Sequence, residues 1–113
     1  MQESFLAFIG YRNYRMFKPL NPLLHSQLRL AIISYLVEKK QVEFTLIKDK
    51  TGATAGNLSI QLRKLEKAGY LEMKKSYRNN KPVSNYRITS KGTIAFKEYV
   101  DKIQYYISNK NNN

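Results

Sequence analysis

Residues 56–71, GNLSIQLRKLEKAGYL, present two unlike faces when they are drawn as a helix. At about 100° per residue, Leu58, Leu62 and Leu65 fall within one narrow sector of the helical wheel. The opposite side carries Ile60 among basic residues and points away from any core that the leucines enter. A solvated helix face has no need of an isoleucine, so this side predicts contact with something partly apolar and strongly anionic.

The overall composition points to the same kind of partner. The chain has 113 residues, 42% of them hydrophobic, which predicts one compact domain with a real core. Arg and Lys number 20 against 8 acidic residues, giving a formal charge of +12. Such an excess favours nucleic acid as the partner, ahead of an acidic membrane surface. The simpler alternative is that lysine and asparagine are abundant throughout the source proteome.

Several classes of protein are excluded by what the sequence lacks. There is no cysteine, which excludes disulfides and thiolate metal sites. The N-terminal segment does not read as a secretory signal, because Glu3 precedes any basic residue and Arg12 and Arg15 interrupt the apolar run. No stretch approaches the roughly eighteen apolar residues that span a bilayer. We therefore expect a cytoplasmic protein that does not associate with membranes.

Two helices are predicted before the central segment. Residues 3–17 have apolar and aromatic side chains at helical spacing, and this helix should end before Pro19 and Pro22. Ser26 is placed to cap a second helix, SQLRLAIISYLVEKK. Its predicted apolar face consists of Leu28, Ala31, Ile32, Tyr35 and Leu36.

A short helix and a tight turn should then lead into the central helix. The residues QVEF (41–44) are long enough only for a bridging strand. Thr45 is placed to cap a short helix that ends at Gly52. Thr54 is placed to cap the central helix over residues 55–68.

From Tyr70 onward the apolar period changes to about two, which predicts a β-hairpin. Residues 70–76 and 83–89 read as its strands, joined by the loop YRNNKP, in which Pro82 fits a turn better than a central strand. Thr89 is then placed to cap a long C-terminal helix. Its predicted apolar face consists of Phe96, Tyr99, Val100, Ile103, Tyr106 and Ile107.

This order of elements predicts a winged helix-turn-helix, a mainly α fold with a β-hairpin wing (α+β). In that arrangement the central helix enters the major groove of double-stranded DNA. We expect the DNA-binding residues to be Thr54, Asn57, Ser59, Ile60, Arg63, Lys64 and Lys67 on the helix, with Arg78, Asn79, Asn80 and Lys81 on the wing. The alternative for each residue alone is an ordinary solvated helix face or a single exposed apolar side chain.

The segments NPLLHSQLRLAIISYL, TGATAGNLSIQLRKLEKAGYLEMKKSY and KPVSNYRITSKGTIAF resemble a family. They are similar to small single-domain winged-helix transcriptional regulators of the MarR/ArsR-like type, over about residues 21–99. The resemblance implies that Ser59, Ile60 and Arg63 face DNA and that the wing lies along the backbone or minor groove. Two positions depart from the family pattern: Gln61 stands where a histidine is common, and Thr93 where a basic residue is common.

The resemblance also implies a homodimer built from the terminal helices. We expect one domain over residues 1–113, with a core at about 21–90 and dimerising helices at about 3–17 and 90–108. The apolar residues that we expect at the dimer interface are Phe5, Phe8, Tyr99, Ile103, Tyr106 and Ile107.

The basic residues are concentrated in the proposed DNA-binding segments. Between Asn57 and Ile88 there are eight basic residues and two acidic ones, so half of the net charge of +12 lies there. Uniform lysine enrichment would not predict this concentration.

We therefore expect a homodimeric transcriptional regulator, and a repressor, because repression needs only occupancy of a promoter. An enzyme is not expected: His25 is the only histidine and reads as a local cap or core-edge residue, and no motif indicates a metal, a cofactor or an effector. Two alternatives stay open: a winged helix used as a protein-interaction module, and single-stranded nucleic-acid binding through the tyrosines.

Overall fold

The computed structural model describes residues 19–109, and these form four helices and a three-stranded antiparallel sheet. In chain order the elements are α1 (Gln27–Lys39), β1 (Gln41–Glu43), α2 (Phe44–Thr51), α3 (Ala55–Lys67), β2 (Leu71–Arg78), β3 (Lys81–Ile88) and α4 (Ser90–Asn109). The predicted mainly α fold with a hairpin wing is confirmed. The predicted helix over residues 3–17 lies outside the described residues. Within residues 19–109 no helix is long and apolar enough to cross a membrane.

Three of the four predicted helix caps are confirmed. The side chains of Ser26 and Thr54 accept hydrogen bonds from backbone N–H groups of the first turn, at 3.5 Å and 3.2 Å. Thr89 accepts likewise from the N–H of Gly92 at 3.0 Å. The prediction for Thr45 is wrong, because α2 begins at Phe44 with Glu43 as its N-cap. Strand β1 holds the backbone extended through Glu43, so the helix begins immediately afterwards and Thr45 already lies in its first turn.

Helix α1 lies at the centre of the fold and packs against α2, α3, α4 and β3. The buried side chains of the core are Leu24, Ile32, Ile33, Leu36, Val42, Ile47, Leu58, Leu62, Leu65, Leu71, Tyr86, Ala95 and Tyr99. The predicted face of α1 is wrong at one position: Ala31 is exposed, while Ile33 is fully buried. A helix with neighbours on several sides buries a wider arc than a single amphipathic stripe indicates.

The hairpin is tighter than predicted. Strands β2 and β3 pair in continuous register up to Arg78 and Lys81, so the turn consists of Asn79 and Asn80 alone. Both asparagines have positive φ, 53° and 63°, as a two-residue turn that matches the twist of the strands requires. The loop predicted over residues 77–82 is therefore too long.

Pro82 lies inside β3, where the prediction had placed a turn. It sits opposite Tyr77 of β2, whereas β1 reaches only as far along β3 as Asn85. At Pro82 the strand thus has a neighbour on one side only, and a proline is tolerated where its missing N–H would face no partner.

The start of the wing is joined to the start of α4 by a close backbone contact. Thr89 donates its hydroxyl hydrogen to the carbonyl of Gly69 at 2.7 Å, and its backbone N–H donates to the carbonyl of Tyr70 at 3.1 Å. Gly92, in the first turn of α4, lies against the same peptide: a Cβ added there would be 2.2 Å from the Tyr70 carbonyl oxygen. Only a glycine fits at this position without moving α4 away from β2.

We expect Gly92→Ala to lower the free energy of unfolding by about 1–3 kcal/mol, the usual cost of overpacking, although alanine favours helix formation. Gly56→Ala is the matched control, because Gly56 is also helical and nothing lies within 4 Å of its added Cβ. The control should be neutral or more stable by up to about 1 kcal/mol. Urea unfolding of both variants measures the difference, and equal midpoints would contradict the contact at Gly92.

Candidate nucleic-acid interface

The leucines of α3 hold the helix in one rotational position. Leu58 and Leu65 are fully buried and Leu62 is 1% exposed, in the same core as Ile32 and Ile47. Ile60, on the far side, is 48% exposed. The predicted separation of an inner leucine face from an outer face is confirmed.

The outer face of α3 brings the predicted residues together. Thr54, at the N-cap, and Asn57 in the first turn are exposed. Also exposed along the helix are Ile60, Arg63, Lys64 and Lys67, whereas Ser59 is half-buried. The result is a single helix face with an amide, an aliphatic group, a guanidinium and two ammonium groups, all accessible from outside.

A chain of side-chain hydrogen bonds connects this face to α1. The Arg29 guanidinium donates through Nε to the carbonyl of Leu23 at 2.6 Å and through Nη1 to Oε1 of Gln61 at 2.5 Å. Gln61 in turn donates from Nε2 to Oδ1 of Asn57 at 3.0 Å. Sequence reasoning missed Arg29, because 32 residues separate it from Gln61 and no local pattern connects them.

The wing tip carries the four predicted residues, all of them exposed. Asn79 and Asn80 form the turn itself, and Lys81 follows them into β3. The Arg78 guanidinium, with 59% of its side chain exposed, pairs with the carboxylate of Glu43 on β1. The tip is therefore held on its β1 side by an ion pair that stays open to solvent.

Most of the basic residues in the interface are left without an acidic partner. Among residues 19–109 the ion pairs within this region are Arg78 with Glu43 and Arg87 with Glu72, the latter at 2.8 Å across β2 and β3. The basic residues of α3 and the wing that stand outside these pairs are Arg63, Lys64, Lys67, Lys74, Lys75 and Lys81. The surface of α3 and the wing is therefore strongly positive.

Tyr86 lies beneath this surface and adds no charge to it. Burial raises the pKa of its hydroxyl above the ordinary value, Glu66 raises it further, and Arg63 acts in the opposite direction. The phenol is thus neutral at physiological pH, and the positive charge of Arg63 is not offset by a phenolate.

A further exposed aromatic residue on the wing escaped the sequence prediction. Tyr77 is 74% exposed and lies opposite Pro82 near the tip. The alternation along β2 places it on the same side of the strand as the buried Leu71, but beyond the end of the core. That alternation, followed past the core, could have identified it.

The expected dimer residues that the structure describes do not share one environment. Phe5 and Phe8 lie outside the described residues. Tyr99 is only 6% exposed, and its hydroxyl lies 2.9 Å from Nδ1 of His25, so it belongs to the core of its own chain and not to a surface offered to a partner. Of the others, Ile103 and Tyr106 are half-buried and Ile107 is 58% exposed. His25, predicted to be a local cap or core-edge residue, is itself exposed and touches the core through this contact with Tyr99.

The geometry described above is that of a known family. Residues 28–107 match the family model described as the winged helix DNA-binding domain. The chain belongs to this family. The predicted winged-helix domain is confirmed, and DNA binding is the activity that the family's description gives.

Individual relatives of this winged-helix domain agree with the assignment. An uncharacterized protein of Methanocaldococcus jannaschii is 37% identical over 81 residues, which cover 72% of this chain and 88% of that protein. A transcriptional regulator homologue from Pyrococcus horikoshii is 25% identical with a TM-score of 0.73, covering 77% of this chain and 86% of that one. A mutant of MarR from E. coli, solved with operator DNA, shares the fold at a TM-score of 0.65, with 15% identity and coverage of 78% and 63%.

Proposed function

We propose that this winged-helix protein is a sequence-specific transcriptional regulator that binds double-stranded DNA as a homodimer and acts as a repressor. The observation that carries the proposal is the outer face of α3, where Asn57, Ile60 and Arg63 are exposed on a helix fixed by buried leucines. An α-helix fits the major groove, where base edges differ in their donors, acceptors and methyl groups. The Pyrococcus horikoshii neighbour is titled a transcriptional regulator homologue, which supports the same role.

Each residue type on the outer face suits one kind of DNA contact. A guanidinium such as that of Arg63 pairs with the two acceptors of guanine, and an aliphatic group such as Ile60 contacts a thymine methyl. Lys64 and Lys67 suit phosphate oxygens, which position the protein without reading sequence. Thr54 and Ser59 carry hydroxyl groups that can donate to phosphate or base acceptors.

The wing suits the phosphate backbone. Lys81 extends from the tip, and the Asn79–Asn80 turn has no bulky side chain to hold the strands away from DNA. The Nη2 group of Arg78 can exchange its partner Glu43 for a phosphate. Because an exposed ion pair contributes roughly 0–1 kcal/mol, exchanging a carboxylate for a phosphate costs little.

The exposed apolar side chains of α4 support the homodimer. Ile107 is 58% exposed, and Ile103, one turn earlier on the same face of α4, is half-buried. A two-fold axis would bring identical patches together and would place two copies of α3 on successive turns of one DNA face. A dimer of this kind occupies a promoter, and occupancy alone is sufficient for repression.

The first test is selection of DNA fragments from a random library by the purified protein, followed by binding at increasing salt. A regulator should recover a two-fold symmetric site, and its affinity should fall steeply with salt as counterions are released from phosphates. A winged helix that acts as a protein-interaction module would recover no common site, and an apolar contact through Ile60 would not weaken with salt.

We expect Ile60→Ala to weaken recognition of the selected DNA site without lowering the stability of the fold. Because Ile60 is half-exposed, the melting temperature should hardly change, while affinity for the selected site should fall by roughly 1–3 kcal/mol and affinity for random DNA should not. Leu62→Ala is the control on the buried face and should cost about 2–5 kcal/mol of stability. A large loss of stability in Ile60→Ala with unchanged site preference would remove Ile60 from the reading face.

Lys81→Ala should weaken binding to all DNA sequences about equally and should reduce the salt slope by about 1, because a phosphate contact carries no sequence information. Arg78→Ala should have a smaller effect, since part of its charge is already engaged by Glu43. Lys97→Ala, an exposed lysine on α4, is the control and should leave the slope unchanged. Altered site preference with an intact slope would show that the wing reads bases.

Sedimentation should give twice the chain mass of 13.2 kDa at tens of micromolar protein. Ile107→Glu should shift the protein toward the monomer, because a charge would have to be buried in the paired patch. Ile60→Ala should remain dimeric, since that side chain lies on α3. A monomeric wild-type protein at these concentrations would contradict the homodimer and the two-fold site together.

A further inference from the structure

The hydrogen bonds that run from α1 to the outer face of α3 have a fixed direction. A guanidinium carries only donors, so Arg29 must meet an acceptor of Gln61. The structure places Oε1 of Gln61 there, at 2.5 Å from Nη1. The second edge of the guanidinium is anchored by Nε on the carbonyl of Leu23, at 2.6 Å. Arg29 therefore has both edges engaged and determines which end of the Gln61 amide faces α1.

The same order of donor and acceptor continues from Gln61 to Asn57. With its oxygen held by Arg29, Gln61 turns its NH2 group toward the preceding turn of α3, where Nε2 donates to Oδ1 of Asn57 at 3.0 Å. The carbonyl of Asn57 is thus drawn toward Gln61, and the NH2 group of this exposed residue stays outside this chain of hydrogen bonds.

Base edges in the major groove respond differently to an NH2 donor alone and to an amide that offers both its NH2 group and its oxygen. An asparagine that offers both its oxygen and its NH2 to one base pairs best with adenine, which has an acceptor at N7 and a donor at N6. Guanine presents two acceptors at the same place, N7 and O6, and cytosine presents a donor. The carbonyl oxygen of Asn57 keeps a second lone pair, but the bond to Gln61 turns that oxygen along α3, which weakens the two-bond match with adenine and leaves the NH2 group for the two acceptors of guanine.

We propose that Gln61, held by Arg29, is a positioning residue that presents Asn57 to DNA as a hydrogen-bond donor, so that Asn57 selects guanine over adenine at one position of the site. The proposal rests on the proposed function, because it assigns a base preference to the same helix face.

The test compares the base preference of four proteins by selection from a DNA library. Asn57→Ala identifies the position, because preference should be lost there and kept elsewhere. Gln61→Glu keeps an acceptor for Arg29 but cannot donate to Asn57, and Gln61→Met removes both bonds at similar length. In both Gln61 variants the preference at that position should move from guanine toward adenine by about tenfold, the scale of one base contact.

Effects that change the affinity for all DNA sequences equally cannot produce this shift in base preference. The added charge in Gln61→Glu lowers affinity for all sequences alike, and a loss of stability does the same, whereas the ratio of guanine to adenine at one position is unaffected by either. In an Asn57→Ala background, neither Gln61 substitution should change that ratio. Gln61 variants that keep the wild-type preference would overturn the proposal, and so would an Asn57→Ala protein weakened equally on all sequences.

A measurement without DNA separates this inference from the proposed function. In the free protein, the side-chain NH2 protons of Gln61 should exchange with water more slowly than those of Gln104, which is exposed on α4. Asn57→Ala should remove the difference. Equal exchange in the wild-type protein would overturn the positioning role whatever the DNA result. Slow exchange in a protein that selects no DNA site would leave the bond standing and overturn both the proposed function and the base preference.

Discussion

Burial of the α3 leucines is the constraint on which the rest of the interface depends. Leu58, Leu62 and Leu65 together leave almost no surface exposed, and burial of each side chain contributes roughly 1.5–3 kcal/mol. Rotating the helix by one residue would expose part of this stripe and push charged groups such as Arg63 toward the core, where an unpaired charge is very costly. The same contact that stabilises the fold therefore determines which side chains face outward.

The wing is tied to the same core at its base, so its tip and α3 form parts of one framework. Tyr86 and Val42 sit opposite each other in β3 and β1, and both are buried, while Leu71 anchors the start of β2. The contact between Gly92 and the carbonyl of Tyr70 then determines where α4 leaves the sheet. Beyond these anchors the strands carry exposed side chains, and their positive charge lies outside the body of the fold.

Sequence alone predicted the features that local patterns encode. The leucine stripe and the caps at Ser26, Thr54 and Thr89 depend on residues within a few positions of one another, and all are confirmed. The errors arose where a distant partner decides the outcome. Pairing of β1 with β3 moved the start of α2 ahead of Thr45, and the short reach of β1 allows Pro82 inside a strand. The assignment of Tyr99 to the dimer interface and the omission of Arg29 belong to the same class, since their partners lie 74 and 32 residues away.

The arrangement of charge and hydrogen bonds on the outer face follows from these constraints. Arg78 near the tip is held by an ion pair that remains exposed, and such a pair is weak enough to be exchanged for a phosphate. The bonds behind α3 are different, because Arg29 is half-buried and donates through both Nε and Nη1. Exchangeable contacts suit the phosphate backbone, which is recognised by charge alone. A fixed donor suits the base edges, which are recognised one at a time. If DNA binds as proposed, the two kinds of contact face the DNA backbone and the base edges, respectively.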